Sequence, residues 1–500
     1  MKFFCMTKSI LAKKSTSSKT KKQQAATEQE NNLNSLNSQQ RKAVNDMLKM
    51  KKGQYYLSGA AGTGKSYTAY VTMLELLRKK RQKRSKGKIL ILCPTHIAKL
   101  QFTSRLPRRL IEGNNARIDL STVAAFLGSS PQTDKITGQD HFSRGEFRNA
   151  DGYCTIFVDE SSMIGNHELS EISKASKEIP IFYLGDLNQL KPVMSKSGEN
   201  LLEEMQGTRL TTQMRSGGPV LELCQKLRKK LIYPEQSQSE KDAFGNTASI
   251  HVFESRSDMI EDFLKQLKKS QEPWNIAYLA YTNLAVEHVK KLAHETLYSN
   301  EIFAIGEYVR LGRPWVFKGK DLGHRGNILQ IKKIIGKETK ELARDFICPV
   351  YRLSVKNIDL GIEGEIECVS PDDQTQFVDL LDKLYKECRK LFTEKRMDDY
   401  ELARAEVDRL KDLGNLKSPY AQTIHSAQGR TIPCVYIDTF NIAEQGSGRR
   451  RLMYVGCSRT QYDLNTIKIT DEDKKEMKQR RLKHRKAHSE NNLTTLRELW

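Results

Sequence analysis

The chain has 500 residues, enough for about three domains at ~150 residues each, and can bury sizeable cores without staples. Its nine cysteines are scattered, with no Cys-x-x-Cys pair or Cys/His cluster at zinc spacing, which excludes a disulfide framework and points to reduced thiols in a cytosol-type compartment. A formal net charge of +22 suggests a polyanionic partner, and without a run of ~18 apolar residues the chain has no membrane-spanning helix.

In chain order, residues 1–35 are basic, rich in Ser, Thr, Gln and Asn, and free of acids before Glu28. Such a stretch cannot support a core and is expected to be a disordered arm, although an organelle transit peptide shares the bias. From Leu36 short apolar runs alternate with helical ones. The strand YYL, a helix after GAAGTGKS, and the strands KILILCPT, CTIFVDE and IPIFYLGD follow one another. That alternation predicts a parallel sheet wrapped by helices, a first α/β lobe over 36–208. The run 78–88, RKKRQKRSKGK, holds eight basic residues in eleven and reads as a solvated helix end, with a nuclear signal or a DNA patch as alternatives.

Residues 127–147 interrupt this lobe, and turn signals at SSPQ and TG predict a β-hairpin inside an insertion at about 121–150. A second α/β series begins with NIAYLAYTN and resumes with CVYIDTF, giving a lobe split into 209–300 and 416–470. Between its halves, 302–370 reads as short antiparallel strands forming a small β-barrel. Residues 372–413 read as helix, with Phe377, Leu380, Leu381, Leu384 and Leu391 on one stripe. Barrel and helices form an accessory domain over 301–415, and 471–500 is a second basic tail.

GAAGTGKS, residues 59–66, fits the phosphate-binding pattern and lies between a strand and a helix as that pattern requires. Gly59, Gly62 and Gly64 let the loop, which also holds Ala60, Ala61 and Thr63, wrap its N–H groups around phosphates. Lys65 would neutralise the β- and γ-phosphates and Ser66 would ligate Mg²⁺. IFVDE supplies the other half: Asp159 for Mg²⁺ and Glu160 to orient or deprotonate the attacking water. ATP and Mg²⁺ are the expected cofactors. Arg215 in LTTQMRS and Arg459 in MYVGCSRT each follow a stretch that could turn them into a cleft, although taken singly either reads as a surface arginine.

The ordered series LNSQQ, GAAGTGKS, CPTHIAKL, VDESSM, GDLNQLKPV, LTTQMRS, AYTN, TIHSAQG and YVGCSRT resembles that of superfamily 1B helicases, the RecD-like group, and within it the Dda type of T-even phages. The likeness runs from Leu36 to about Asp463. It implies two RecA-like P-loop lobes, a pin hairpin in the first and an SH3-like β-barrel plus helical insertion in the second. By the same resemblance Gln40 contacts adenine, Gln189 senses the γ-phosphate, and Arg215 and Arg459 are arginine fingers. Pro94, Thr95 and His96 touch a DNA strand from the first lobe. Thr423 and His425 do so from the second, while Gln428 and Gly429 face the nucleotide cleft. The pin implies an aromatic wedge, for which Phe142 is the candidate and His141 the second.

Three positions depart from the family pattern. Thr122-Val123-Ala124-Ala125 stands where Thr-Ile-His-Ser is usual, so Thr122 remains as a DNA contact without the histidine. His425-Ser426-Ala427-Gln428-Gly429 lacks a lysine, and Ser458 replaces a threonine. The resemblance implies a monomeric, ATP-dependent 5′→3′ DNA helicase of replication, recombination or repair, acting on single strands and forks alongside single-strand-binding or replication proteins. Two related readings stay open: a translocase that strips proteins or acts on RNA, and an ATPase subunit of a larger repair complex. A scaffold using ATP only as a switch is the rival from another class, and intact Glu160, Arg215 and Arg459 argue against it. The expected location is a bacterial-type cytosol, or a nucleus or organelle in a eukaryotic host.

Overall fold

The structure is a computed structural model that describes residues 35–82, 87–103, 106–113, 116–128, 130–133, 140–143, 150, 152–176, 178–190, 201–212, 214, 218–241, 247–299, 301–312, 315–317, 320–323, 326–343, 346–394, 396–411, 413, 416–445, 448–477 and 479. Nearly all of the basic arm, most of the C-terminal tail and part of the basic run at 78–88 lie outside them.

Helix α1 (Ser38–Lys49) opens on a reciprocal cap: the Gln40 N–H donates to the Asn37 side chain, and the Asn37 N–H donates to Gln40 Oε1. Strand β1 (Gly53–Gly59) then runs through the glycine-rich loop into α2 (Lys65–Gln82). There follow β2 (Lys88–Cys93), α3 (His96–Thr103), β3 (Ile118–Thr122), the single turn α4 (Val123–Phe126), β4 (Ser130–Thr133) and β5 (Asp140–Ser143). The lobe continues with β6 (Tyr153–Val158), α5 (Asn166–Ala175), β7 (Pro180–Gly185) and β8 (Gly207–Leu210). Its sheet has the order β3-β2-β6-β7-β1-β8, with every pairing parallel. Strand β2 explains why its sequence is continuously apolar. Ile89, Ile91 and Cys93 enter the core on one face and Leu90 and Leu92 the core on the other. Each large side chain so buried contributes about 1.5–3 kcal/mol. The expected hairpin is present as the antiparallel pair β4–β5, where Phe142 stands opposite Pro131 and His141 opposite Gln132.

The second lobe starts with α6 (Pro219–Lys229), β9 (Gln238–Lys241), β10 (Thr247–Phe253), α7 (Arg256–Lys269), β11 (Ile276–Ala280) and α8 (Asn283–Tyr298). The accessory module comes next: β12 (Tyr308–Leu311), β13 (Trp315–Phe317), β14 (Lys320–Gly323), β15 (Ile328–Ala343), β16 (Phe346–Asn357), β17 (Glu363–Val369), α9 (Gln374–Thr393), α10 (Met397–Lys411) and β18 (Leu416–Lys417). The lobe closes with β19 (Ala421–Thr423), β20 (Ile432–Ile437), α11 (Arg449–Arg459) and β21 (Thr460–Ile467). Its sheet, β19-β11-β20-β21-β10-β9, is parallel except at its β9 edge. The chain therefore leaves this sheet after α8 and returns to it at β19, as the split in the sequence suggests.

In the accessory module five antiparallel strands pair in the order β17-β16-β15-β12-β18, beside a separate β13–β14 ribbon. Among the described residues the two end strands do not pair, so the hydrogen bonding gives an open sheet rather than a closed ring of strands. Register shifts along β15–β16 bend it. The sheet curls over Phe303, Trp315, Leu329, Leu353 and Leu416, which brings the ribbon into the same core. Phe377 and Leu381 of α9 bury against Leu342, Cys348 and Val350 of the long hairpin, with Leu380 and Leu384 half-buried beside them; Leu391 is buried further along. Among the described residues no helix is long and apolar enough to cross a membrane, and eight cysteines are free thiols.

Candidate nucleotide-binding and interlobe site

A parallel sheet collects the ends of its strands on one edge, and ligands of open α/β sheets bind there. In the first lobe that edge carries the loop after β1, Pro94 and Thr95 after β2, Asp159 and Glu160 after β6, and Asp186 to Gln189 after β7. The loop is held in a phosphate-binding curl. Gly62 and Gly64 have φ of 84° and 82°, the left-handed region, and a Cβ at position 64 would collide with Gln40 Nε2. Lys65 Nζ reaches back to the carbonyls of Gly59 (2.8 Å) and Ala60 (3.1 Å), and the Thr63 hydroxyl donates to Ala60 O at 2.9 Å. Ser66 sits in the first turn of α2, where backbone amides and helix dipole favour an anion. Gln40 is fully buried against this loop, and its Nε2 donates to Thr63 O at 3.3 Å. Its second duty in the α1 cap fixes that orientation.

Asp159 is buried at the end of β6, with its N–H bonded to Leu92 O at 2.8 Å. Glu160 adopts φ 45° and ψ 41°, a left-handed conformation that a non-glycine residue pays for in strain. The strain turns the carboxylate toward Gln189, whose Nε2 donates to Glu160 Oε2 at 3.3 Å. Gln189 Oε1 in turn accepts from Gln428 Nε2 of the second lobe at 2.9 Å. Gln189 and Gln428 are both buried, so the link between the two lobes lies out of bulk water, while Glu160 is half-buried.

The stretch YAQTIHSAQGRTI explains how the second lobe reaches there. Thr423 ends β19 level with Ala280 at the end of β11, whereas Ile432 begins β20 level with Thr460 at the start of β21. Residues 424–431 therefore run back from one edge of the sheet to the other across β11, with Ile424 and Ala427 in the core beneath. Thr423 and His425 mark one edge; Gln428, Gly429 and Arg430 mark the other, beside Arg459. Gly429 has φ 79°, and a Cβ there would lie 3.9 Å from Ala98 of the first lobe. Thr423 is buried and its hydroxyl closes the turn, at 2.9 Å from Ser426 Oγ, and the His425 ring packs at a tilt against Tyr281, centroids 5.7 Å apart.

Arg459 ends α11 and is buried. Its guanidinium donates to Val455 O (3.3 Å), Arg430 O (3.3 Å) and Ser458 Oγ (3.0 Å), and among the described residues no carboxylate pairs with it. Ser458, where the family has threonine, is thus a direct support for the finger candidate. Arg215 lies outside the described residues. The first-lobe residues expected to touch the strand have structural duties: Thr95 Oγ1 accepts from Ala98 N at 3.1 Å, and buried Thr122 Oγ1 accepts from Ala125 N at 3.1 Å, each starting a helix. Pro94 is buried, His96 opens α3, and the side chains of His96, His141 and Phe142 lie outside the described residues.

The structure adds residues to which the sequence reading assigned no role. Asp186 follows an apolar strand just as Asp159 does, a signal that could have found it. It accepts from Tyr454 of α11, from Arg228 Nη2 (3.3 Å) and from Asn188 N (3.1 Å). Arg450 adds donors to Asn188 Oδ1 (3.2 Å) and to Leu227 O (3.1 Å), and Arg451 donates to Gln189 O at 3.2 Å. Burial first, then the Asp186 carboxylate, raises the Tyr454 phenol well above its ordinary range, so it stays a donor.

A P-loop, a strand-end acid pair and a second lobe whose buried Gln428 meets Gln189 beside them define a two-lobed P-loop fold with a candidate nucleotide site at the seam of the lobes. Residues 35–233 match the AAA domain model, and residues 419–465 match the UvrD-like helicase C-terminal domain model. The RecBCD enzyme subunit RecD of Buchnera aphidicola subsp. Schizaphis graminum (strain Sg) is 27% identical over 176 residues, covering 33% of this chain; the chain spans only 28% of that relative's length. Two Pif1 helicases solved on forked double-stranded DNA align at TM-score 0.47 and 14% identity, over 86% of this chain and 91% of theirs. Pif1 helicase from Bacteroides in complex with ADP-AlF3 and single-stranded DNA aligns at TM-score 0.46 and 15% identity, over 86% and 92%. The two family models fall on the two lobes that carry the motif series.

Proposed function

We infer that this protein is an ATP-dependent DNA helicase that moves 5′→3′ on single-stranded DNA and separates duplexes. The observation that carries the reading is the hydrogen-bonded chain Glu160–Gln189–Gln428. It ties the acid that would activate water to the segment whose other end, Thr423 and His425, would hold the strand. Lys65 and the loop amides would bind the phosphates. Ser66 and Asp159 offer the hard oxygen donors that Mg²⁺ takes, and the ion would neutralise charge on the phosphates. Arg459, joined by Arg215, would stabilise the transferring phosphoryl group. Lobe closure on ATP and opening after hydrolysis would alternate the grip of Thr423 and His425 with that of Pro94, Thr95, His96 and Thr122. Hydroxyl, imidazole and backbone contacts position a phosphate backbone without reading sequence. Phe142 at the β4–β5 hairpin would part the strands, and the accessory module would hold DNA against it. In this reading the protein works as a monomer in a cytosol-type compartment.

The test is separation of two partial duplexes, one with a 5′ and one with a 3′ single-stranded tail, by wild type and Glu160→Gln. Unwinding from the 5′ tail alone, lost in the variant, is expected, and Phe142→Ala should then impair unwinding while sparing DNA-stimulated hydrolysis. Hydrolysis without separation of either substrate would favour the translocase and remove the pin assignment.

A further inference from the structure

Tyr454 lies on α11, in the second lobe, yet its fully buried hydroxyl is bound entirely by the first. It donates to Asp186 Oδ2 after β7, and it accepts from the N–H of Ala61 in the glycine-rich loop at 3.4 Å. Neither contact is within its own lobe, so the phenol is a peg between the loop and the β7 turn. Asp186 is held in place by Arg228 and the Asn188 N–H, which makes the acceptor side rigid. The donor side is different. The Ala61 N–H belongs to the loop whose amides would receive phosphate, and it lies on the flank facing the Asp186–Gln189 turn. Gln189, bonded to Glu160, marks that flank as the one where the terminal phosphate would meet water.

We propose that Tyr454 is a positioning residue that latches α11 onto the phosphate loop, and that the terminal phosphate of ATP displaces its hydroxyl from the Ala61 N–H. The inference rests on the ATP-site reading above. Arg459 lies five residues further along the same helix, so release of the latch frees the element that carries the finger candidate. The phenol and the phosphate compete for one donor. ATP arrival then registers mechanically in α11, while ADP, which lacks the terminal phosphate, leaves the latch in place.

The experiment measures binding of a non-hydrolysable ATP analogue and of ADP to the full chain, in wild type, Tyr454→Phe and Asp186→Asn. Loss of one neutral hydrogen bond predicts that Tyr454→Phe binds the analogue about three- to fivefold tighter, with ADP binding unchanged. Asp186→Asn should move the same way by less, since the hydroxyl keeps an acceptor. A purely structural role for the phenol would lower the melting temperature and weaken both nucleotides alike. Unchanged or weaker analogue binding in Tyr454→Phe, or an equal gain for ADP, would overturn the latch. Wild type that binds neither nucleotide, with Lys65→Ala indistinguishable from it, would instead overturn the ATP-site reading and the latch with it.

Discussion

In the first lobe the phosphate loop, the acids Asp159 and Glu160 and the turn holding Asp186 and Gln189 all leave one edge of a parallel sheet. Each is a contiguous stretch placed by its own strand. In the second lobe Gln428 arrives at the end of a segment that crosses the sheet, and Arg459 arrives at the end of a helix. Both lobes have six-stranded sheets, but one presents its groups directly at strand ends and the other on a crossing segment and a helix end. A rigid socket suits phosphate binding, where amides must be preorganised. Groups on a crossing loop and a helix end suit timing, because a small movement of the element withdraws them.

Substitutions can break this contrast in order of size. Arg459→Ala, at the proposed arginine finger, should lower kcat for ATP hydrolysis by about 10³-fold, with nucleotide affinity changed little. Steady-state kinetics with saturating single-stranded DNA would read it. An equal loss of affinity would mean that Arg459 belongs to the socket rather than to the timing elements. Glu160→Gln should cost about 10²–10⁴-fold in the same assay. Gln428→Ala removes one buried link between the lobes and should reduce the stimulation of hydrolysis by DNA about fivefold, while hydrolysis without DNA stays near wild type. If hydrolysis fell equally with and without DNA, the link would be part of the catalytic constellation and not a coupling.

The smallest effect concerns the seam between the second lobe and its accessory module. His294 of α8 lies 3.4 Å from the buried carboxylate of Glu307, which raises the imidazole pKa against the opposing effect of burial; Glu295 and Asp372 add to the rise. Because the folded value is raised, the charged pair stabilises the seam fully below pH 6.5, the ordinary imidazole value, and the benefit is lost as pH climbs through the raised value. Thermal melts of wild type and His294→Gln should differ most below pH 6.5 and converge as pH rises through the raised value. A gap that is constant with pH would assign His294 a packing role only.

Much of the candidate site was legible because its chemistry depends on local spacing. A glycine-rich loop between strand and helix, and acids directly after an apolar strand, announce themselves within eight residues. The parallel lobes and their interruption were equally legible, since buried strands are apolar on both faces. The stripe on α9 could be read from helical period alone.

What the sequence could not supply were pairings across long separations. Nothing near Tyr454 announces that its hydroxyl meets Asp186 and Ala61, 268 and 393 residues away. Whether the short strands of the expected β-barrel close into a ring depends on whether β17 and β18 pair, which no local propensity fixes. Thr95 and Thr122 carry the residue type of a strand contact, yet burial and helix capping decide how their hydroxyls are used. By itself the sequence determined the elements, the two lobes and the candidate site groups, because hydrophobic period and loop geometry are local properties. Only the tertiary structure decided which of those groups touch, because packing sets the distances between segments that the chain keeps far apart.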